Sequence, residues 1–510
     1  MPRTAAVRDG WRSYAVASTS PPVVPASGSV RAVDPVPSEL RAAIQRRLRE
    51  RRVHGLAICA FDVDHVRFAG GEGFADLERG EPVTPTTIFR VASISKLLTT
   101  TLVLELADAG LVDLDAPVND VLPPRLRIAD EHGAPATSSL RTLLSHSSGL
   151  PAGVRGARLD VPVIDRLLPT RDLAWAVEGL RLTHRPETKV VYSNPGFNLA
   201  GHVAALTLGQ SFENAVRERV LAPVGMADSR FDAERHGPGV ATHYGSVLPP
   251  RVGPQPVTGL RLVATPMGGM TTNVVDLARF GQMVLRDGVV GTRSVLRPDT
   301  LRTATTLRAT NHPDLSQGYG LGFRVRTWNG RRVVGHDGNM PGVASQIVLS
   351  PDDGVGVVVL TNGYALQVPH EVADDTLRFM VDPGHGSEPS TDIADRDAWV
   401  SLGRRTEGTY SLPDAAPPGA LGRVDAALTR PKVVHEAAGR LRVEGNPGSD
   451  GPVWLVPDGR VGHYRVAAPV DDGTDAVIEE RADGTHIWWG PLTHLYRRTG
   501  ASTSTDRSSS

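Results

Sequence analysis

The spacing of apolar residues predicts two helices early in the chain. Leu40, Ile44 and Leu48 recur every four residues, which indicates an amphipathic helix over residues 38–52 with arginines on its other face. A second helical stretch runs from about residue 95 to residue 110, where a glycine ends it. Solvated arginine faces are common and no aromatic residues interleave with this one, so we do not expect a nucleic-acid surface.

Short apolar runs elsewhere predict strands. They lie at residues 55–62, 66–70, 333–334, 347–349 and 355–360. The first two form a predicted hairpin, and the series does not alternate with helices as in a βαβ fold, so the predicted class is α+β. Beyond residue 399 the pattern changes to short alternating runs separated by Asp-Gly turns, which is typical of a small all-β barrel or sandwich.

Composition divides the chain into five predicted segments. Residues 1–36 form a Pro- and Ser-rich leader, 37–381 the main domain, 382–398 a linker, 399–499 the β-module and 500–510 a disordered tail. The first residues carry no apolar stretch of signal-peptide length, and no apolar run of about 18 residues occurs anywhere. We therefore expect a cytoplasmic protein.

Charge and residue usage narrow the chemistry. The 55 Lys+Arg and 56 Asp+Glu leave a net charge of -1, so no global field draws the protein to nucleic acid or to an anionic membrane. Only Lys96, Lys189 and Lys432 are lysines, and the other 52 basic residues are arginines. Because arginine cannot be deprotonated in proteins, a task that needs a neutral amine must use a lysine. The one cysteine, Cys59, lies in an apolar run and is expected to be core.

Histidines at metal-ligand spacing and nucleotide-binding glycine motifs are absent from the sequence, so we expect no metal and no cofactor. What the sequence does contain is Ser93-Ile94-Ser95-Lys96 at the start of the second helix. Residues three apart share one helix face, so the Ser93 hydroxyl and the Lys96 amine can meet. Backbone N–H groups at the helix start favour a developing oxyanion, and a partly desolvated lysine can accept the hydroxyl proton.

A second motif, Tyr192-Ser193-Asn194, lies in a polar turn between an apolar run and a helix. A tyrosine near a lysine ammonium has its ionised form stabilised and can work as a base. The asparagine amide can hold a substrate amide or ester.

A third motif, Gly335-His336-Asp337-Gly338-Asn339, lies at the edge of a predicted strand with glycines on both sides. Such a strand can run alongside a substrate backbone, and its N–H groups can complete an oxyanion hole.

Together these motifs resemble the S-x-x-K acyl-transfer family, the penicillin-recognising serine enzymes. This family takes in class C β-lactamases, D,D-carboxypeptidases, D-aminopeptidases and β-lactamase-like esterases. The resemblance covers about residues 38–380 and includes framework runs at 140–150, 223–226, 268–280 and 357–362. It implies a β-lactamase/transpeptidase-like domain, with an antiparallel sheet flanked by helices, an all-helical lobe and the active site between them. The trailing β-module is similar to the lipocalin-like barrels that follow some members.

The resemblance also implies a role for each motif residue. Ser93 is the expected acylated nucleophile, and Lys96 with Tyr192 moves its proton to the leaving group. The backbone N–H groups of Ser93 and Asn339 form the expected oxyanion hole, and His146 of the first framework run is expected to be structural. The implied catalytic residues are Ser93, Lys96, Tyr192 and His336, and the implied substrate-binding residues are Asn194, Gly338 and Asn339.

The leading hypothesis is therefore a serine hydrolase of esters or small amides, D-amino-acid amides included, that works through acyl-Ser93. β-Lactamases and D,D-peptidases of this family usually carry Lys-Thr-Gly where this chain has His336-Asp337-Gly338, which resembles the D-aminopeptidase and esterase branches. A mostly neutral imidazole beside an aspartate predicts weak or no β-lactam turnover.

Three alternatives stay open at this point. One is a peptide transacylase or cyclase that uses the same acyl-enzyme, with Arg497 or Arg498 as a candidate ligand for a substrate carboxylate. The others are a β-lactamase or D,D-carboxypeptidase and a non-catalytic binding protein. The expected partner is a small-molecule or peptide acyl substrate rather than a nucleic acid or a membrane, and the sequence does not indicate the oligomeric state.

Overall fold

The structure is a computed structural model. It describes residues 34–152, 157–159, 173–232, 237–245, 255–257, 260–262, 265–328, 330–381, 396–410, 432–435, 440–444, 453–458, 461–468, 475–489 and 493–498. Most of the predicted leader and linker, and the whole predicted tail, lie outside these residues.

The structure contains both of the helices that the apolar spacing predicts. Leu40, Ile44 and Leu48 are the buried face of the first, and the second ends at Asp108, with Gly110 just beyond it in the left-handed conformation. The helices are α1 Ser38–Arg51, α2 Ser95–Asp108, α3 Leu140–Leu144, α4 Leu173–Val177, α5 Asn194–Leu208, α6 Phe212–Val216, α7 Ala222–Val224, α8 Val274–Leu285, α9 Pro298–Ala304, α10 Gln367–Val381 and α11 Arg396–Thr406.

The strands fall into two large sheets and several short pairings. They are β1 Gly55–Asp62, β2 Val66–Asp76, β3 Glu81–Pro82, β4 Phe89–Arg90, β5 Ala157–Leu159, β6 Arg230–Phe231, β7 Tyr244–Gly245, β8 Gln255–Pro256, β9 Leu260–Leu262, β10 Met270–Thr272, β11 Val289–Val290, β12 Arg293–Ser294, β13 Gly318–Tyr319, β14 Arg324–Trp328, β15 Arg331–Met340, β16 Val343–Ser350, β17 Val355–Thr361, β18 Gly408–Thr409, β19 Lys432–His435, β20 Leu441–Glu444, β21 Val453–Pro457, β22 His463–Ala468, β23 Asp475–Arg481, β24 Gly484–Trp489 and β25 Thr493–Arg498.

The main sheet is antiparallel and has the strand order β13-β14-β15-β16-β17-β1-β2-β3. The predicted hairpin β1–β2 therefore pairs with β17, the last strand of the domain. The apolar faces of α1 and α10 pack on one side of the sheet. On the other side lie α8 and a helical lobe that includes α2, α3 and α5. This arrangement confirms the predicted α+β fold with an all-helical lobe.

Cys59 lies in β1 inside this body and has no exposed surface. Burial raises the pKa of its thiol to about 12, so it stays protonated at neutral pH. The prediction that it is a core residue is confirmed.

The C-terminal module is a nearly closed antiparallel barrel. Strands β18 to β25 pair in chain order around an apolar interior, into which α11 inserts Trp399. The guanidinium of Arg497, on the last strand, donates to the carbonyls of Arg405 and Glu407, which directly precede the first strand. The alternative that Arg497 or Arg498 holds a substrate carboxylate stays a prediction.

The predicted barrel is confirmed, but its sequence pattern did not predict β19, β25 or α11. Among the described helices, none is long and apolar enough to span a membrane. The domain boundaries and the cytoplasmic location stay predictions.

Candidate active site

Ser93 lies in a single 3-10 turn, Ala92–Ile94, that leads directly into α2. Ala92 has φ of 47°, the left-handed region that side chains rarely adopt. The Ser95 hydroxyl holds this turn: it donates to the Ala92 carbonyl at 2.6 Å and accepts from the Met270 N–H at 3.0 Å. As a result Ser93 stays half-buried at the helix start, while Ser95 is fully buried.

Lys96 has no exposed surface, and its amine faces three oxygen atoms. Nζ lies 2.9 Å from Ser93 Oγ, 2.8 Å from Asn194 Oδ1 and 2.8 Å from the Met267 carbonyl. The contact with Ser93 confirms that the two side chains meet on one helix face. Sequence reasoning missed the Met267 carbonyl, because a backbone acceptor from a distant segment has no signature of its own.

Burial lowers the pKa of Lys96 to about 7, although the negative charge of Asp337 opposes this shift. A substantial fraction of the amine is therefore neutral at neutral pH. A neutral amine that donates to Asn194 Oδ1 and the Met267 carbonyl directs its lone pair at the Ser93 hydroxyl. In that state Lys96 accepts a proton from Ser93.

The second motif is held in place by the cap of α5. Ser193 caps this helix: its hydroxyl accepts from the Gly196 N–H at 3.1 Å and donates to the Pro151 carbonyl at 2.9 Å. Asn194 begins the helix and is half-buried. Because its Oδ1 accepts from Lys96, its Nδ2 is the group that can meet a substrate carbonyl.

Tyr192 lies beside the lysine, with Lys96 Nζ 4.8 Å from the centre of its ring. Burial, Tyr319 and Asp337 raise the pKa of Tyr192 well above 10. The expectation that Lys96 stabilises an ionised Tyr192 is therefore wrong for the unliganded site. The phenol is neutral and can pass on a proton only while it receives another.

His146 forms the wall behind Tyr192. Its Nδ1 accepts from the Ser193 N–H at 3.0 Å, and its carbonyl accepts from the Val191 N–H at 2.9 Å. Its ring centre lies 4.4 Å from that of Tyr192 and 4.6 Å from that of Tyr319. The imidazole is fully buried and, since Nδ1 is an acceptor, neutral. These contacts support the structural role expected of this histidine.

The third motif forms the opposite side of the cleft. Strand β14 pairs with β15 only as far as Gly335, so residues 336–340 have β16 on one side and an open edge on the other within the described sheet. Asn339 lies exposed on this segment. Gly338 has a packing reason for its identity: a Cβ there would lie 2.1 Å from the Val91 carbonyl oxygen, directly before the serine turn. The strand therefore crosses close to Ser93.

His336 is buried on this strand, with its ring centre 6.0 Å from that of Tyr192. Its Nδ1 lies 2.5 Å from the Asp337 carbonyl, and Nε2 has no hydrogen-bond partner among the described residues. Burial lowers the pKa of His336 to about 4, so the imidazole is neutral at neutral pH. A neutral ring that donates through Nδ1 leaves Nε2 as a buried acceptor.

Asp337 gives this side of the cleft a negative charge. Burial raises the pKa of its carboxyl, but His336, His370 and Arg324 outweigh burial and hold that pKa below its usual value. Sequence reasoning used Asp337 only as the acidic neighbour of His336, and it missed Tyr319, whose buried ring lies 6.4 Å from that of His336. Nothing in the spacing of Asp337 shows that its charge acts on Lys96, and nothing in that of Tyr319 shows that its ring lies near the site.

The structure thus brings the serine and the lysine into contact beneath Tyr192 and Asn194, and places the strand with His336, Gly338 and Asn339 opposite. A serine paired with a lysine of lowered pKa, at a helix start that faces an open strand edge, defines a serine acyl hydrolase. The chain belongs to the beta-lactamase family, whose pattern it matches over residues 40–379.

A curated relative supports this assignment. The chain is 33% identical to penicillin-binding protein 4 of Amycolatopsis lactamdurans over 323 residues, which is 62% of this chain and 82% of the relative.

Solved structures match the fold at lower identity. The octameric penicillin-binding protein homologue from Pyrococcus abyssi is 23% identical with a TM-score of 0.57, and the match covers 90% of this chain and 99% of that one. A D-stereospecific amidohydrolase from a Streptomyces species is 24% identical with a TM-score of 0.54, over 65% of this chain and 98% of its own. EstCE1, described as a hydrolase with promiscuous acyltransferase activity, is 22% identical with a TM-score of 0.54, over 66% and 96%.

Proposed function

We propose that the protein cleaves neutral esters or small amides, amides of D-amino acids included, through an acyl intermediate on Ser93. The observation that carries this proposal is the 2.9 Å contact between Lys96 Nζ and Ser93 Oγ, together with the lowering of the Lys96 pKa to about 7. A poor nucleophile then lies beside a base that is already partly deprotonated at neutral pH.

In the acylation step, Lys96 takes the hydroxyl proton and Ser93 Oγ attacks the substrate carbonyl carbon. The carbonyl electrons move onto oxygen, and we assign the backbone N–H groups of Ser93 and Asn339 to the resulting oxyanion. Ser93 lies in the first helical turn, where N–H groups have no intrahelical acceptor. The Asn194 amide orients the acyl side of the substrate.

Collapse of the tetrahedral intermediate expels the leaving group, which takes the phenol proton of Tyr192 while Tyr192 recovers a proton from Lys96. Lys96 is then neutral again and can deprotonate an incoming water, which releases the acid and restores Ser93. His336 offers its Nε2 as an acceptor to a substrate N–H beside Tyr192. This order of proton transfers requires a neutral Tyr192, as its raised pKa provides.

The preference for uncharged substrates follows from the strand side. His336 is neutral at neutral pH and Asp337 is ionised, so this side offers an anion no positive partner from its own motif. The likeness in fold to a D-stereospecific amidohydrolase supports the inclusion of D-amino-acid amides.

The test is a short exposure to a p-nitrophenyl acyl ester, followed by intact-mass analysis while p-nitrophenol release is recorded. We expect a burst and a mass increase of one acyl group in the wild type, and neither in Ser93→Ala. The matched control is Ser401→Ala, an exposed serine of α11, which should acylate normally. If no adduct and no release above Ser93→Ala is seen with esters or D-amino-acid amides, the protein is a binding protein instead.

Transfer of the acyl group to an amine is a second candidate. One observation favours it: the C-terminal barrel packs against the segment that ends in Tyr319, and Tyr319 is almost fully buried beside the tyrosine of the site. Burial on that side limits the approach of water. The likeness in fold to EstCE1 also supports it. Adding D-amino-acid amines to the acyl-enzyme and measuring the ratio of amide to acid separates transfer from hydrolysis.

A further inference from the structure

The loop of residues 309–319, here called the docking loop, belongs to the catalytic domain and contacts the barrel. It is closed at its base, where the Ala309 N–H donates to the Tyr319 carbonyl at 2.9 Å and the Tyr319 N–H donates to the Ala309 carbonyl at 2.9 Å. A movement of the loop therefore moves Tyr319.

The inner side of the docking loop supports the segment that leads into Tyr192. Asn311 accepts from the Val190 N–H at 2.9 Å and donates to the Val190 carbonyl at 3.1 Å. Val190, Ala309 and Tyr319 form a small buried cluster, against which Tyr192 packs. The position of Tyr192 thus depends on the loop through hydrogen bonds two residues upstream and through direct packing.

The outer side of the docking loop is held by barrel strand β23. Asp475 accepts from the Ser316 N–H at 2.8 Å with one oxygen and from Gln317 Nε2 at 2.7 Å with the other. Gln317 has no exposed surface, so the carboxylate of Asp475 takes the place of water as the hydrogen-bond acceptor of its amide. Such paired contacts, one of them to a buried side chain, fix a loop in one orientation more strictly than apolar packing does.

A second contact to the barrel lies at the start of the loop. His312 is almost fully buried, its Nδ1 accepts from the Asp314 N–H at 3.2 Å, and its Nε2 donates to Glu479 at 2.9 Å. The His312 ring centre lies 4.8 Å from that of Trp488. Leu315 completes the contact in a buried apolar cluster with Val477 and Trp488.

We propose that the C-terminal barrel is a positioning element for Tyr192: Asp475 and Glu479 hold the docking loop, which holds Val190 and Tyr319 and so keeps Tyr192 in its place in the site. The inference rests on the proposed acyl-enzyme function. Surface loops are the mobile parts of most enzymes, and a displacement of about 1 Å at a reacting group costs on the order of 100-fold in rate. The barrel is therefore part of the catalytic unit, and Asp475 and Glu479 are positioning residues rather than catalytic ones.

The experiment measures the rate of Ser93 acylation by intact mass in full-length variants. Glu479→Ala and Asp475→Ala should each slow acylation by about ten-fold, with the loss in kcat rather than in KM. Glu479→Gln keeps an acceptor for His312 Nε2 and should restore most of the rate. The matched control is Glu480→Ala on the same strand, whose carboxylate bonds Arg405 instead of the loop; it should acylate at the wild-type rate. Thermal melting of each variant shows whether it is folded.

Two combinations test the route through Tyr192. If barrel and loop act on the same group, Asp475→Ala combined with Asn311→Ala loses less than the product of the single effects. In a Tyr192→Phe background, followed over hours, Asp475→Ala should add no further loss, because the group that it positions is gone.

Multiplicative losses in the Asn311 combination, or single variants that acylate at the wild-type rate, would overturn the positioning role. The result is separable from the proposed function itself: if wild-type protein forms no acyl-Ser93, that function fails, whereas acylation that is unaffected by the barrel variants removes only the positioning role.

Discussion

The two sides of the cleft differ in how complete they are before a substrate arrives. On the helix side, all three hydrogen-bonding directions of the Lys96 amine are used, by Ser93, Asn194 and Met267. On the strand side, the edge of β15 beyond Gly335 has no strand against it in the described sheet, and His336 Nε2 is buried without a partner there. One side is preorganised for proton transfer, and the other has acceptors and donors that only a substrate can satisfy.

This difference indicates that the two sides of the cleft contribute differently to proton transfer and to substrate selection. The cost of burying Lys96 is borne by the folded protein in advance, so the base needs no rearrangement when the substrate binds. The strand side carries no positive charge from its motif and one ionised carboxylate, Asp337. We infer that the helix side carries out the proton transfers, and that the strand side, together with Asn194, contributes to the choice of substrate.

Among the substitutions considered, Lys96→Arg is expected to reduce the acylation of Ser93 most. An arginine keeps the positive charge but cannot release its proton, so acylation of Ser93 should fall by about 10²- to 10⁴-fold. The same substitution at Lys189, which is exposed, is the control and should leave the rate unchanged. Burst kinetics with a p-nitrophenyl ester measure both. A Lys96→Arg variant with a normal burst would show that the proton goes elsewhere.

Gly338→Ala is expected to disrupt the packing of β15 against the turn that carries Ser93. The added methyl group would lie 2.1 Å from the Val91 carbonyl oxygen, so β15 must move away from the serine turn. We expect a loss of about 1–3 kcal/mol in stability by denaturant unfolding and a fall in acylation rate of about 100-fold.

Gly268→Ala is the matched control for this substitution. It lies beside the same turn, but its Cβ would meet Ala92 at 3.8 Å, an ordinary contact. Equal effects of the two substitutions would mean that the close approach of strand and turn does not matter.

A matched pair of substrates tests the charge preference of the strand side. The p-nitrophenyl monoester of adipic acid and its methyl ester differ in one carboxylate at the far end of the acyl chain. Because Asp337 is ionised and His336 neutral, kcat/KM should favour the methyl ester by about ten-fold at pH 7. A preference for the anionic ester would instead support the β-lactamase or D,D-carboxypeptidase alternative.

Local patterns predicted the helix side better than the strand side. Helix periodicity was enough to predict that Ser93 and Lys96 meet, because the 3-10 turn that holds Ser93 leads directly into α2, where Lys96 lies. The Met267 carbonyl, in contrast, reaches Lys96 from 171 positions along the chain, and only the packed fold brings it there. The charge of Asp337 acts on Lys96 across the cleft and likewise has no local signature.

The barrel shows the same limit. Its class followed from alternating runs and Asp-Gly turns, but β19 and β25 carry Lys432 or Arg497 among few apolar residues. Helix α11 follows a Pro- and Gly-rich stretch that reads as linker. The docking contacts of Asp475 and Glu479 could not be predicted at all, because an exposed acidic residue in a strand looks the same whether or not a loop lies against it.

Asp337→Asn tests how strongly the two sides are coupled. In the wild type, kcat/KM should rise with pH through about 7, because Lys96 must lose its proton before it can accept that of Ser93. The negative charge of Asp337 stabilises the protonated form and so raises the pKa of Lys96; its removal must lower that pKa and move the acid limb to lower pH. The ratio of activity at pH 6 to that at pH 8 should therefore increase.

The control for this shift is Asp352→Asn, which removes the same charge from the exposed turn at the far end of β16 and should leave the limb in place. An acid limb that stays put in Asp337→Asn, or moves to higher pH, would mean that the strand side does not influence the base. A shift to lower pH would mean that the residue next to His336 affects both which substrates are accepted and the pH at which they react.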